Sequence, residues 1–384
     1  MNVKMDIDVP FFSNKQSFLS QWDEISELLD SLVLDGEFIN GTMVKKFESS
    51  IQTYTNAKHA IAVNNASDAL QIILKASGIK AGDEVIVPCY TFFASASSIA
   101  NIGATPVFVD IDPLTYNICP EKIEQKITAK TKAIMPVHLF TQMADMQKIK
   151  EIAHKYHLTI LEDSAEGIGM WTEGIHAGLH GQAGVLSFFP TKTLGAIGDA
   201  GMILTNSDDF AEKCKAIRHH GQIHNNKYIH NIIGFNSRMD DIQAAVLEVR
   251  LKYLSDDIKR RNYLAGLYDK HLEEMYPFVK TPVISQNTYS FNHVYYVYLI
   301  QAENRDRLAK YMMEHCIGTE AYYPYPLHMQ PCFDYLNYNL GDFPNAEKAS
   351  LHALGLPLYP DLTEKEIGYV CNVIKGFYAG GGYK

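Results

Sequence analysis

The sequence predicts an α/β protein: a mostly parallel sheet covered by helices on both faces, followed by a smaller C-terminal α/β unit. Two observations carry this expectation. Between about residues 59 and 205, short apolar runs alternate with segments of helical spacing, the pattern of parallel strands buried on both faces. From about residue 239 the pattern changes to long helices, with one fresh strand after Asn292 and a closing helix.

The elements follow in order. Ala66–Ser77 reads as a helix, and Glu84-Val-Ile-Val-Pro88 as a strand. Thr91–Ile102 is helical, Pro106-Val-Phe-Val-Asp110 a strand, and Lys132-Ala-Ile-Met-Pro-Val137 another. Met143–Tyr156 is a helix, then Leu158-Thr-Ile-Leu-Glu162 and Val185-Leu-Ser-Phe-Phe189 are strands. Residues 239–275 form one or two long helices, because Asp240-Asp-Ile-Gln-Ala-Ala-Val-Leu-Glu-Val-Arg250 places an apolar stripe at helical spacing. Val294–Ile300 is a strand of the second unit, and Thr363–Phe377 closes the chain as a helix. The expected division is a large domain over 1–245, whose N-terminal segment packs on the small domain, and a small domain over 246–384.

Composition narrows the function class. With 44 acidic against 34 basic residues, the net charge of −10 argues against nonspecific nucleic-acid binding. Six scattered cysteines show no CxxC pair and no zinc spacing, which points to a reducing compartment. Met1–Asp8 has no apolar signal-peptide core, and no apolar run reaches membrane-spanning length. A cytoplasmic protein without membrane partners is expected.

Chemistry concentrates at strand ends. Gly184-Val-Leu-Ser-Phe-Phe-Pro-Thr-Lys192 ends an apolar strand in Pro190, presents one lysine, and continues as the glycine-rich Gly195-Ala-Ile-Gly-Asp-Ala-Gly201. A lysine delivered there and partly desolvated is expected to have the lowered pKa that imine formation with a carbonyl requires. Asn65-Ala66-Ser67 opens a helix, so its free N–H groups can either cap the helix or bind a phosphate. Asp163 follows a strand and can cap the next helix or keep a pyridine nitrogen protonated. Phe92 offers either core packing or a face to stack on a flat ring, and Ser187 could add a hydroxyl to the phosphate. Taken together, a phosphate cradle, a stacking face, a carboxylate and an imine-forming lysine describe a pyridoxal-phosphate site.

At these residues the chain resembles the pyridoxal-phosphate-dependent nucleotide-sugar aminotransferases, a branch of the aspartate-aminotransferase fold (fold type I). The resemblance runs from about Leu34 to Ile374. Its motifs are Gly82-Asp-Glu-Val-Ile-Val-Pro, Gly103-Ala-Thr-Pro-Val-Phe-Val-Asp-Ile-Asp112, Pro136-Val-His138, Ser187-Phe-Phe-Pro-Thr-Lys192, Gly234-Phe-Asn236-Ser-Arg238 and Pro326-Leu-His328. It implies a seven-stranded sheet, Lys192 as Schiff-base lysine and proton shuttle, and Asp163 on the pyridine nitrogen. It also implies that Phe92 stacks on the ring, that Ala66, Ser67 and Ser187 hold the phosphate, and that Asn236 reaches a partner subunit's cofactor in a homodimer. Glu166 stands where many members carry a glutamine near the cofactor's phenolic oxygen. His138, Tyr322 and His328 are implied substrate contacts. The implied reaction moves an amino group from L-glutamate or glutamine to a keto group of a nucleotide-linked sugar. The Gly198-Asp-Ala-Gly201 segment resembles members acting on 3-keto-6-deoxyhexoses, with 4-keto sugars or keto-cyclitols as the alternative.

Three rival readings are weaker. His219, His220, His224 and His230 cluster within twelve residues, but their spacing matches no standard metal motif. A sugar dehydratase on this scaffold carries a histidine in place of the lysine, so Lys192 counts against it. A non-catalytic pyridoxal-phosphate-binding or regulatory protein has no need of the full set of Lys192, Asp163, Ser67 and Ser187.

Overall fold

The computed structural model describes residues 7–222, 228–285 and 293–381. Helices α1 (Lys15–Asp35) and α2 (Thr42–Thr55) lead into β1 (His59–Val63), α3 (Ala66–Ala76), β2 (Glu84–Pro88), α4 (Phe93–Asn101), β3 (Thr105–Val109) and β4 (Thr131–Ile134). Then come α5 (Met146–Tyr156), β5 (Thr159–Asp163), a two-stranded ribbon of β6 (Trp171–Thr172) and β7 (Ile175–His176), β8 (Ala183–Ser187), β9 (Gly201–Thr205) and α6 (Asp208–Arg218). Helices α7 (Asp241–Leu251) and α8 (Leu254–Leu272) connect to β10 (Val279–Lys280), β11 (Tyr298–Ala302), α9 (Arg305–Glu314), α10 (Pro344–His352), β12 (Ala353–Leu356) and α11 (Glu364–Ala379).

Seven strands form one sheet in the order β1-β9-β8-β5-β4-β2-β3. The pairs from β3 through β8 are parallel, while β9 runs antiparallel to both β8 and β1. Strand alternation divides the core between the two faces. In β8, Val185 packs with Leu70 and Ile73 of α3, whereas Leu186 packs with Phe47 of α2 and Leu247 of α7. A second, antiparallel sheet, β10-β11-β12, packs with α8, α9 and α11 in the C-terminal unit. Val9 crosses back to that unit, where its N–H bonds to the Cys316 carbonyl at 2.9 Å. The segment around Val9 therefore packs on that unit.

Two strands, β1 and β9, were not individually legible in the sequence. The expected long helical region divides into α7 and α8. The expected boundary after residue 245 falls inside α7, whose Ala244, Ala245 and Leu247 join the same cluster as Phe47 and Leu186. Among the described residues, no helix is long and apolar enough to cross a membrane.

Asp241 fixes α7 to the start of α2. Its fully buried carboxylate accepts from the N–H groups of Gly41 (2.7 Å), Met43 (2.9 Å) and Val44 (3.1 Å). It thus caps from across the chain a helix whose own N-cap residue, Gly41, has no side chain. Asp241→Ala should lower unfolding stability by about 2–4 kcal/mol, since three buried donors lose one charged acceptor. Urea denaturation checks this, and a loss below about 1 kcal/mol contradicts it.

Candidate functional site

The site is built along the carboxyl ends of the parallel strands, where open α/β sheets place their ligands. The register sets Val63, Gly201 and Ser187 side by side across β1, β9 and β8, and pairs Asp163 of β5 with Val185. Gly201 allows β9 to meet the start of α3: an added Cβ would lie 2.7 Å from the Ala66 nitrogen. In α3, the Asn65 side chain accepts from the Asp68 N–H at 2.8 Å, leaving the first-turn N–H groups of Ala66 and Ser67 to face an anion. Ser187 is buried and its Oγ accepts only a long bond, 3.4 Å, from the Phe189 N–H. Its hydroxyl hydrogen remains available to a further acceptor.

Helix α4 ties this cradle to the carboxylate. Ser98 Oγ donates to the Ser67 carbonyl at 3.3 Å, and Ser95 Oγ donates to Asp163 Oδ2 at 2.6 Å. The other oxygen of Asp163 accepts from the Ala165 N–H at 3.2 Å. Asp163 is buried, and both its oxygens are held in place. Phe92, immediately before α4, is 61% exposed, so its ring remains open to a planar ligand. Ser95 was not legible in the sequence, because its role depends on α4 lying beside β5.

Lys192 sits in a closed turn between β8 and β9. Its N–H bonds to the Phe189 carbonyl at 2.8 Å, and the Ala196 N–H bonds to that of Phe188 at 2.8 Å. Gly195 permits this path, since a Cβ there would lie 2.4 Å from the Pro190 oxygen. The ammonium lies 3.2 Å from Glu166 Oε1 and 4.1 Å from the centroid of the Tyr296 ring, with the lysine side chain 15% exposed. Glu166 Oε2 accepts from the Phe140 N–H at 2.7 Å.

Burial pushes the Glu166 carboxyl above the usual range, against the pull of Lys192. For Lys192, burial opposes the charge, but Tyr296, Glu166 and Asp163 outweigh it and hold the amine above the usual lysine range. The sequence expectation of a lowered pKa is therefore reversed, because Tyr296 and the Glu166 carboxylate are tertiary neighbours. Tyr296 was also missed. It is placed by Phe140, whose carbonyl accepts its N–H at 2.9 Å, and by the buried Arg261, which binds its carbonyl at 3.4 Å.

The expected substrate contacts separate. Tyr322 lines one small cavity with Thr191 and Tyr296, and its ring is 5.9 Å from that of Phe140. His138 is a correction. It is fully buried, with Nε2 2.9 Å from Glu162 and Nδ1 accepting from the Ala144 N–H at 3.2 Å, so no ring nitrogen is free for a ligand. His328 is buried against Phe343 with its Nε2 3.0 Å from Glu347, while its Nδ1 has no hydrogen-bond partner among the described residues. Asn236 is exposed on the loop after His230, with Oδ1 accepting from Arg238 at 2.6 Å. In the histidine cluster, the rings of His219 and His220 meet edge to face at 5.7 Å and His230 bonds to the His220 carbonyl. His224 lies outside the described residues.

These residues fit pyridoxal phosphate by the chemistry of their donors. An amine stands next to a carboxylate, a second carboxylate is pinned in place, and N–H and hydroxyl donors converge at the ends of adjacent strands. Comparison with known proteins agrees. The DegT/DnrJ/EryC1/StrS aminotransferase family matches residues 20–375. The chain is 46% identical to a "pleiotropic regulatory protein" of Geobacillus stearothermophilus, over 97% of this chain and 99% of the relative. It is 38% identical to a dTDP-3-amino-3,6-dideoxy-alpha-D-galactopyranose transaminase of Aneurinibacillus thermoaerophilus, over 96% and 99%. A Bacillus subtilis protein, NtdA, solved with bound cofactor PMP, superposes with a TM-score of 0.87 at 34% identity, covering 97% of this chain and 87% of that one.

Proposed function

The chain belongs to the DegT/DnrJ/EryC1/StrS aminotransferase family, and we propose that it moves an amino group from L-glutamate or glutamine to the keto group of a nucleotide-linked 3-keto-6-deoxyhexose. It is a pyridoxal-phosphate-dependent aminotransferase, as its family is. The observation that carries the reading is the combination of Lys192 beside Glu166 with Asp163 held by Ser95 at the same sheet edge. A 4-keto nucleotide sugar or a keto-cyclitol is the alternative substrate.

When bound, pyridoxal phosphate supplies a carbonyl carbon for an imine and a ring that draws electrons from the carbon being deprotonated. The chain's residues divide the remaining work. The N–H groups of Ala66 and Ser67 and the hydroxyls of Ser67 and Ser187 hold the phosphate, helped by the helix dipole. Phe92 covers the ring. Asp163 keeps a proton on the ring nitrogen. Lys192, once its amine is free, would take the proton from the donor's α-carbon.

The non-catalytic or regulatory reading is opposed by the complete set of Lys192, Asp163, Ser67 and Ser187. A second subunit is supported by the large apolar side chains left in water around the start of α7. Ile39, whose backbone pairs with Asp240, Ile197, whose N–H bonds to Gln243, and Ile242 are each at least 40% exposed. Exposed Asn236 would then reach across to the other subunit's phosphate. The expected compartment is the cytoplasm.

A panel of 3-keto and 4-keto nucleotide sugars with glutamate, read by product mass, tests the substrate assignment. We expect an amino sugar from the 3-keto substrate, with 2-oxoglutarate released in equal amount. Faster turnover of the 4-keto substrate, or equal turnover of a free cyclitol ketone, would overturn it.

A further inference from the structure

Glu166 has both oxygens committed inside the protein, one to the Phe140 N–H and the other to the Lys192 ammonium. The Phe140 backbone adopts a left-handed φ of 62°, which a non-glycine residue rarely takes, and its N–H meets the carboxylate at 2.7 Å. The remaining titratable groups facing the pair are Asp163 from β5, Tyr296 from the C-terminal unit, and Tyr322 and Tyr323 from the loop packed on it. Asp163 accepts from Ser95 and Ala165, so Glu166 is the carboxylate in direct contact with the amine. An amine attacks a carbonyl only when neutral, yet the geometry here is that of an ion pair.

We propose that Glu166 both positions Lys192 and takes the proton that Lys192 must lose before it can capture a carbonyl. This proposal rests on the reading of Lys192 as the carbonyl-binding lysine. In the transfer an Nζ–H bond breaks and an Oε1–H bond forms across the 3.2 Å contact. The ammonium and carboxylate become a neutral amine and a neutral acid, and no outside base is needed. Desolvation penalises both ions, but Tyr296, Glu166 and Asp163 outweigh it on Lys192, so the uncharged pair is the minor state from which the amine reacts.

The test uses the full chain without cofactor. Lys192 is alkylated with formaldehyde and cyanoborohydride across a pH series and quantified by peptide mass. Glu166→Gln retains an oxygen for the Phe140 N–H but removes the negative charge. It should move the labelling midpoint of Lys192 down by about one pH unit or more, a roughly tenfold gain in neutral amine below the midpoint. Glu166→Asp should restore much of the wild-type profile. A midpoint in Glu166→Gln equal to that of the wild type overturns the proposal.

A second measurement does not depend on that variant folding. In Lys192→Ala, infrared spectra compared with those of the wild type should show a protonated carboxyl band at neutral pH. Absence of the band means that Glu166 cannot hold the proton, and overturns the proposal. Both readouts are independent of turnover. An inactive substrate panel with a shifted labelling profile would therefore reject the functional reading alone.

Discussion

Lys192→Ala is expected to abolish amino transfer, with a fall of at least about 10³-fold, because one side chain both captures the carbonyl and shuttles the proton. The fold should survive the change. Lys192 projects from a turn whose backbone bonds, Lys192 N–H to Phe189 and Ala196 N–H to Phe188, do not involve its side chain. Glu166 loses its cation but can take up a proton, which is less costly than leaving a buried charge unpaired. The α3 N-terminus, Ser187 and Asp163 remain, so the variant should still bind pyridoxal phosphate noncovalently. Single-turnover assays with glutamate, alongside equilibrium dialysis of the cofactor, check both halves. A variant that transaminates at the wild-type rate would sink the whole assignment.

The contrast between what was and was not legible in the sequence follows from one distinction. Strands such as β2 and β5 are read from sequence because a strand buried on both faces is a continuous apolar run between breakers. Lys192 and Asp163 are read because each interrupts such a run at its end. Partners are not legible in the same way. Ser95 and Tyr296 carry no signal in their own segments, since one serine in a serine-rich helix or one tyrosine among Val294-Tyr-Tyr-Val-Tyr298 gains its role only when two distant elements pack.

His138 shows the opposite error. It lies in a motif-like stretch, but motif membership does not fix which face of the sheet a side chain meets. Alternation in β5 turns Glu162 away from Asp163, and His138 goes with Glu162. The expected direction of the Lys192 shift failed for a related reason. Desolvation could be anticipated from its place at a strand end, whereas the 3.2 Å contact with Glu166 could not.

Asp163→Ala should be the second most damaging change, with a loss of about 10²–10⁴-fold, the range of a positioned proton-holding group. The carboxylate is rigid: Ser95 Oγ at 2.6 Å and the Ala165 N–H at 3.2 Å fix both oxygens, and burial keeps water from replacing it. Packing loss is a competing explanation, and Asp163→Asn separates it from charge. The amide can accept from the Ala165 N–H through its oxygen and can donate to the Ser95 hydroxyl, which still has Thr91 Oγ1 at 3.1 Å as a partner. Shape and local bonds are thereby kept, but no negative charge remains to stabilise a proton on the ring nitrogen. Asn should therefore be nearly as inactive as Ala while unfolding at close to the wild-type denaturant midpoint. Ser95→Ala removes one bond to a carboxylate oxygen and should cost only about tenfold, because Asp163 keeps its bond from the Ala165 N–H. If Asn retained wild-type transfer rates, the charge on Asp163 would have no part in the chemistry, and its role would reduce to holding Ser95 and Ala165 in place.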